Sequence, residues 1–525
     1  MQSKFQEPLN RALKNRNQNQ LTKLIAKIYR AGLIDAKFDL VDYQQITLLM
    51  LFVLSNNLNM VKKLLIECKA DRLIKEADGQ NALYMATHLA ISSPEYDYKI
   101  ATLLLTDQAK EQICSQERLT GHTVISFCAM NDSAIATGFL RLFLDITTEP
   151  LNQTTINGDY PINLACLHGE ETTLNALLKF QPEKQVLLAG QFKELPLHTL
   201  LSRDLTASLA LLLAHEPQQQ LLSRTESGMT VLHIAALRLQ FATLKFLKEH
   251  NLVSELVNVP FGEHAQTALH LAITIEHENP VPKAERHVHW FVKELLVYGA
   301  DVMTGAGNLI PLLRCCQNNY VSVAKLLLAQ REEEQLTNID CENFIPIMTA
   351  CFYGAHSVVD FLLEFACNQT LEHLTFRNKS GHNALHLAIN HYHEHPEHAE
   401  NILHMVKSLL KFYPVEQLLV VTQGINPLLR ATALGFVDMV KMIMQFDCKT
   451  QLTEQNDSTI LPIHFACDRE NIPIVQALLQ QHALAQLHTP YKGITPLQQA
   501  TLNQNLELMQ LILAIDPTTL LTLLP

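Results

Sequence analysis

The sequence predicts an all-helical solenoid of about 13–14 stacked helix-turn-helix units joined by short finger turns. Three observations carry that prediction. A six-residue signature recurs along the chain, beginning at 47, 81, 123, 160, 195, 230, 267, 310, 345, 383, 426, 461 and 495, with spacings of 34 to 43 residues. Behind it, aliphatic residues recur at helical spacing, as in Val61-Lys62-Lys63-Leu64-Leu65 and Val475-Gln476-Ala477-Leu478-Leu479. Ahead of it, two residues before the signature, stands a glycine or asparagine able to take positive φ.

The elements follow in chain order. Glu7-Pro8-Leu9-Asn10-Arg11-Ala12 is a weak copy of the signature and marks an amino-terminal cap over 1–46. Residues 1 to 30 hold Lys4, Arg11, Lys14, Arg16, Lys23, Lys27 and Arg30 against Glu7, a local net of +6 read as a charged, exposed cap. Each later signature opens a first helix, helix A. Proline at its second place (Pro161, Pro196, Pro311, Pro346, Pro427, Pro462, Pro496) suits a first helical turn, where no backbone N–H is required. The sixth place is Ala in nine of the thirteen clear copies and Cys at Cys128 and Cys315, as close helix approach demands. The aliphatic stripe then forms a second helix, helix B, with a buried face. Glycines at Gly79, Gly121, Gly158, Gly228, Gly381, Gly424 and Gly493, with Asn308 and Asn343, supply the finger turns. Gly169, Gly354 and Gly435 mark a second sharp reversal, between helices A and B.

Thr230-Val231-Leu232-His233-Ile234-Ala235, Thr267-Ala268-Leu269-His270-Leu271-Ala272, Asn383-Ala384-Leu385-His386-Leu387-Ala388 and Leu461-Pro462-Ile463-His464-Phe465-Ala466 share the pattern T-P-L-H-x-A. In this the chain resembles the ankyrin-repeat family, along essentially its whole length. The chain departs from the family in its glycine supply, with 17 where two per unit would need about 28, so irregular finger turns are expected ahead of 47, 195 and 461. A higher-order repeat also appears. The signatures at 267, 310 and 345 recur at 383, 426 and 461, an offset of 116, and Pro311-Leu312-Leu313-Arg314 is matched by Pro427-Leu428-Leu429-Arg430. The expected divisions are thus the cap 1–46, repeats over 47–266, a three-repeat block over 267–382, its second copy over 383–494, and a closing cap over 495–525. Both copies begin with a lengthened connection between helices A and B, Glu276 to His289 and Asn390 to Glu400, and a similar extension spans Ile91 to Tyr98.

Composition narrows the function classes. A hydrophobic fraction of 48% with 18% charged residues belongs to a chain that folds. The most apolar stretch, Ile46 to Leu54, is about half of what a bilayer span needs, so no membrane span is expected. The start, Met1-Gln2-Ser3-Lys4-Phe5-Gln6-Glu7, lacks a signal-peptide core, and the eleven cysteines form no C-x-x-C pair, so thiols rather than disulfides or zinc sites are expected. A net charge of −12 argues against nucleic acid.

The candidate binding residues lie in the two lengthened connections: His277, Glu278, Arg286, His287 and His289 in the first, Tyr392, His393, His395 and His398 in the second. The second is the richest cluster, and His391-x-x-Glu394-His395 matches an inverted zinc-peptidase pattern. Pro396 stops the sustained helix that such chemistry needs, so the segment is read as a solvated polar loop with no metal and no cofactor. Trp290, the single tryptophan, is expected to open helix B and pack inside. The signature histidines His198, His233, His270, His386 and His464 are expected to tie successive turns together, and Cys166, Cys351 and Cys467 to be inert core thiols. Glu332-Glu333-Glu334 reads as a solvated turn. No phosphate loop, G-x-S-x-G or H-E-x-x-H occurs.

The function expected from this pattern is a non-catalytic, monomeric protein-interaction scaffold that uses the concave helix A face, the finger turns and the lengthened connections. Its irregular repeats and abundance of Gln, Asn, His and Leu resemble ankyrin-repeat effectors injected by intracellular bacteria. That resemblance implies host-protein partners, type IV secretion and a place in the host cytoplasm. A eukaryotic-type cytosolic adaptor is the alternative, and a metal-dependent enzyme using 391–398 is a more distant one.

Overall fold

A computed structural model of the chain describes residues 3–14, 18–39, 45–105, 108–131, 133–168, 171–203, 208–274, 285–305, 309–365, 370–446, 448–453 and 460–523. They fall into two compact units, Met1–Leu256 and Val257–Pro525. In the first, a helix pair Ser3–Lys14 and Gln18–Arg30 precedes helices A at Leu48–Leu54, Ala82–Ser92, Val124–Ala129, Pro161–His168, Pro196–Ser202 and Val231–Arg238. In the second, helices A run over Ala268–Ile273, Pro311–Asn318, Pro346–Phe352, Ala384–Glu394, Pro427–Ala433, Pro462–Asp468 and Pro496–Leu502. Each begins one residue after a signature's first position.

That first position works as an N-cap. The side chains of Thr47, Thr123, Thr230, Thr495, Asn81, Asn383 and Asn426 accept the N–H three residues on, satisfying one of the donors a helix start leaves open. The asparagines do more, because Asn81 Nδ2 donates to Gln112 O at 2.9 Å and Asn383 Nδ2 to Gln417 O at 3.1 Å. Helices B, such as Leu58–Ile66, His356–Phe365 and Ile472–Leu478, bury the aliphatic stripe, with Val61, Leu64, Val359, Leu362, Val475 and Leu478 all buried.

The signature histidines stitch the stack. His270 Nδ1 accepts the Thr267 N–H at 3.2 Å while its Nε2 donates to Leu309 O, in the next repeat, at 2.8 Å. His464 Nε2 donates to Thr489 O at 2.9 Å, and His198 accepts the Leu195 N–H at 3.1 Å. Burial holds these rings neutral, pushing His198 and His270 down to about 4 and His386 to about 3.

The finger turns are single antiparallel bridges, for example Arg224 with Thr230 and Tyr491 with Ile494. At Gly121, φ is +75° and an added Cβ would lie 2.9 Å from Ile156 N, the atom that donates to Thr120 O at 2.9 Å to join neighbouring turns. The turn ahead of 195 is irregular, a 3-10 turn Gln191–Lys193 with Phe192 and Lys193 both at φ +56°. Ahead of 47, Gln45 takes φ +58° beside a regular bridge, Phe38 with Ile46. The turn ahead of 461, like Asn308 and Gly169, lies outside the described residues.

One recurring element is absent from the sequence reading. Between helix B and the finger lies a third, short helix, as at Ala109–Ile113, Pro182–Gln185, Pro217–Leu222, Glu332–Leu336, Pro414–Leu418 and Ala483–His488. Each carries one buried glutamine whose Nε2 donates to the carbonyl eight residues back: Gln112 to Leu104, Gln185 to Leu177, Gln220 to Leu212, Gln335 to Leu327, Gln417 to Leu409 and Gln486 to Leu478, all at 2.7–2.8 Å. Those carbonyls belong to the last residues of helices B, where the regular i+4 donor is lost; most also accept a turn N–H three residues on, as Leu177 O does from Phe180 N at 3.0 Å. Four residues before each glutamine a residue enters the left-handed region: Gln108, Gln181, Glu216, Arg331, Tyr413 and His482, at φ +43° to +53°. Glu332-Glu333-Glu334 is solvated, as expected, but is helical and not a turn. It is the start of such a helix, where negative charge suits the amino-terminal dipole, and Arg331 pairs with Glu334.

Candidate functional site

The lengthened connections are built differently from the loops expected. In the second, helix A runs on to Glu394, His395 closes it, a 3-10 turn Pro396–His398 follows, and helix B starts at Ala399. The extra residues are thus spent mostly on added helical turns. The extension after Ile91 folds back on its neighbour, with the Tyr96 hydroxyl donating to Val53 O at 2.8 Å. In the first connection helix B spans Glu285–Val297, so Arg286, His287 and His289 stand on its opening turns. His277 and Glu278 lie outside the described residues. His289 Nδ1 donates to Ser322 O at 3.2 Å, beside a Ser322 N–H bond to Glu285 at 2.6 Å, which ties this helix start to the next repeat. Trp290 does not pack inside. It lies in helix B between the buried Val288 and Phe291 and is 47% exposed.

Within 391–398 the residues divide into two groups. His391 is buried, hydrogen-bonded to the Phe352 backbone and seated over Gly354 so closely that any Cβ there would collide with its ring. Desolvation and the neighbouring His395 hold its ring below the ordinary histidine range. His395 and His398 are exposed, at 3.2 Å and 3.9 Å from Glu397 Oε1. Hydrogen bonds from its own backbone and from His395 keep the Glu397 carboxyl below its usual range. Tyr392 meets Phe436 edge-on at 4.5 Å, and His393 lies 6.0 Å from the same ring. The residues of the H-x-x-E-H match are consequently split between a core position and the surface. Among the described residues no group of three or more His, Cys, Asp or Glu could hold a metal ion.

The cysteines are mostly structural. Cys128, Cys166, Cys315, Cys316, Cys351 and Cys467 are buried, and desolvation raises their thiols, Cys467 to about 12. Cys341 is the exposed one among those described.

Sequence reasoning overlooked one row of residues. The fifth signature place is apolar and buried in many repeats, as at Leu51, Met85, Leu164, Ile234, Leu271 and Leu387, but is Phe127, Phe465 or Gln499 in others and Arg314 and Arg430 in the middle repeat of each duplicated block. Both arginines are half-buried and held by neutral amides, Arg314 to Gln317 Oε1 at 2.9 Å and Arg430 Nε to Asn390 Oδ1 at 2.9 Å. The Pro-Leu-Leu-Arg match was visible as evidence of duplication; its charge was the signal left unread.

A family model agrees with the repeat architecture over part of the chain. A family model of ankyrin repeats (3 copies) matches residues 283–373, 312–412 and 428–520. A solved structure, the ankyrin repeat domain of Bcl-3, a unique member of the IkappaB protein family, is similar at 22% identity and a TM-score of 0.38, covering 47% of this chain and 100% of that one. No curated protein matches the chain. Among the described residues no helix is long and apolar enough to cross a membrane.

Proposed function

We propose that this chain, an all-α ankyrin-repeat protein by fold, is a non-catalytic scaffold that binds other proteins through the helix A face, the finger turns and the helical connections at 285–290 and 390–400. One observation carries the reading. Framework places are buried and chemically uniform, while the fifth place of helix A is buried at Met85, Leu271, Thr349 and Leu387 but half-buried and chemically varied at Phe127, Arg314, Arg430 and Phe465. A stack that keeps its frame and varies one row of side chains suits recognition, since a few aromatic or arginine anchors dominate protein binding. Exposed Trp290, Phe352 and Tyr353 add such anchors.

The partners are proteins of a host cell, and the chain reaches them as a translocated bacterial effector; the irregular repeats and composition support this finer reading. Affinity capture from host-cell lysate tests the scaffold. The full chain is compared with a variant carrying Trp290→Ala, Tyr392→Ala, His393→Ala, His395→Ala and His398→Ala, after both show the same helical content and thermal transition. A partner held by the first and lost by the second is the expected result, and equal capture removes these connections from the site. A translocation reporter fused to the chain, with and without a working type IV system in the carrier bacterium, tests delivery. Reporter signal independent of that system would reject the effector assignment.

A further inference from the structure

Arg314 and Arg430 occupy equivalent places in the two copies of the duplicated block, 116 residues apart. Both lie in the unit Val257–Pro525. Arginine at this place is otherwise found in the amino-terminal cap, where Arg11 pairs with Glu7 at 3.1 Å. Neither Arg314 nor Arg430 has a carboxylate within 4.0 Å among the described residues, and Arg314 Nε is buried with no hydrogen-bond partner. A guanidinium taken partly out of water without a counter-charge costs stability, so its presence twice at one place calls for a compensating partner. The amides that hold the two side chains are neutral. They fix each fork in position and leave its charge uncompensated, in a chain whose net charge is −12.

The face between them is carried by eighth-place residues, since the fifth places there, Thr349 and Leu387, are buried. Positions five and eight of helix A are three residues apart and share a face. Gln317 and Asn390 are eighth-place residues, and so is Phe352 in the repeat between them. Phe352 is 41% exposed and Tyr353 48%, their rings meeting edge-on at 5.1 Å. Three repeats at about 8–10 Å per stacked helix put the arginines about 30 Å apart. An extended strand covers that span in about nine residues.

Resting on the scaffold reading, we infer that the helix A face from Arg314 to Arg430 receives an extended acidic segment of a partner protein, each arginine taking one carboxylate and the Phe352–Tyr353 pair an apolar side chain between them. Arginine is suited to this, because its planar fork can grip a carboxylate with two parallel hydrogen bonds.

The test pans a displayed library of random peptides, about sixteen residues long to exceed the span, on the full chain. The expected winners carry two acidic residues about eight to ten apart with an apolar residue between. Binding of a synthetic winner should fall at least about tenfold on Arg314→Gln and on Arg430→Gln, the loss expected for one charge-assisted contact. Replacing the matching peptide glutamate by glutamine should then cost nothing further in the corresponding variant. Both variants remove a charge and keep a hydrogen-bonding side chain, and their melting transitions are compared first. Winners without paired acids, or winners bound equally by both variants, would overturn the acidic-segment inference and leave the scaffold standing. No enrichment would likewise overturn the acidic-segment inference, the scaffold being tested separately by the lysate capture.

Discussion

At the scale of single residues, His391 shows how one side chain can look like chemistry and serve packing. Its ring covers Gly354, which itself sits at φ +71°, a conformation that a side chain strains. Gly354→Ala should therefore cost about 2–4 kcal/mol, combining left-handed strain with a steric clash. Adding His391→Ala removes the clash and should recover the part above about 1–2 kcal/mol, the residual strain of alanine at positive φ. Urea unfolding of the two single variants and the double variant reads this directly. Simple additivity would mean that the two residues do not touch. Gly354 was legible in the sequence as a sharp reversal between helices. The role of His391 was not, because the ring belongs to one repeat and its seat to the one before it. Local spacing showed the H-x-x-E-H match and nothing of the glycine beneath.

At the scale of elements, the first helix of each repeat was readable to the residue, since N-cap chemistry and proline at the next place act locally. The third helix was missed for an equally physical reason. It has about one turn, too short for a periodic apolar pattern, and is held by a glutamine that a composition reading assigns to the surface. The signal was present as Gln followed by Leu, Ile or Val, nine to eleven residues before the next signature, at Gln112, Gln185, Gln220, Gln335, Gln417 and Gln486. Gln417 donates to Leu409 O at 2.7 Å and to Phe412 O at 2.6 Å, so Gln417→Ala leaves both carbonyls without that donor. A loss of about 1–3 kcal/mol is expected from chemical denaturation, with amide exchange rising first at the end of Ala399–Leu409. An exposed glutamine such as Gln219, substituted likewise, should change stability by less than about 0.5 kcal/mol. Equal effects at the two sites would reject the capping role. The same locality limits the proposed binding residues: Arg286, His287, His289, Tyr392, His393, His395 and His398 could be placed near helix ends, but the helical extension to Glu394 and the exposure of Trp290 depend on neighbouring repeats.

At the scale of the whole molecule, repetition turns one histidine contact into a property of the fold. His198 and His270 are held near 4 and His386 near 3 by burial, and His464 is lowered in the same way. In the unfolded chain such rings titrate near about 6.5. Between that value and about 4 the unfolded state therefore binds protons that the folded state refuses, and linkage makes stability fall as pH drops through the window. The contribution is complete above about 6.5 and amounts to ~1.4 kcal/mol per pH unit for each such ring. Protonation also costs a bond, since Nδ1 of His270 can no longer accept the Thr267 N–H. Glu194, whose carboxyl burial raises, works in the opposite sense over the lower part of the window, while Asp301 and Asp516, both lowered, add their loss beneath the ordinary carboxylate range. Urea midpoints should thus be level from about pH 7.5 to 6.5 and decline steadily below it. His270→Gln offers a folded control, because Gln498 already fills the same signature place, its Oε1 accepting the Thr495 N–H at 2.7 Å. That variant should keep its stability near neutrality and show a shallower acid slope. A decline that begins only in the carboxylate range, or a slope unchanged by His270→Gln, would assign the acid sensitivity to other groups and reduce the histidine ladder to a neutral hydrogen-bond frame.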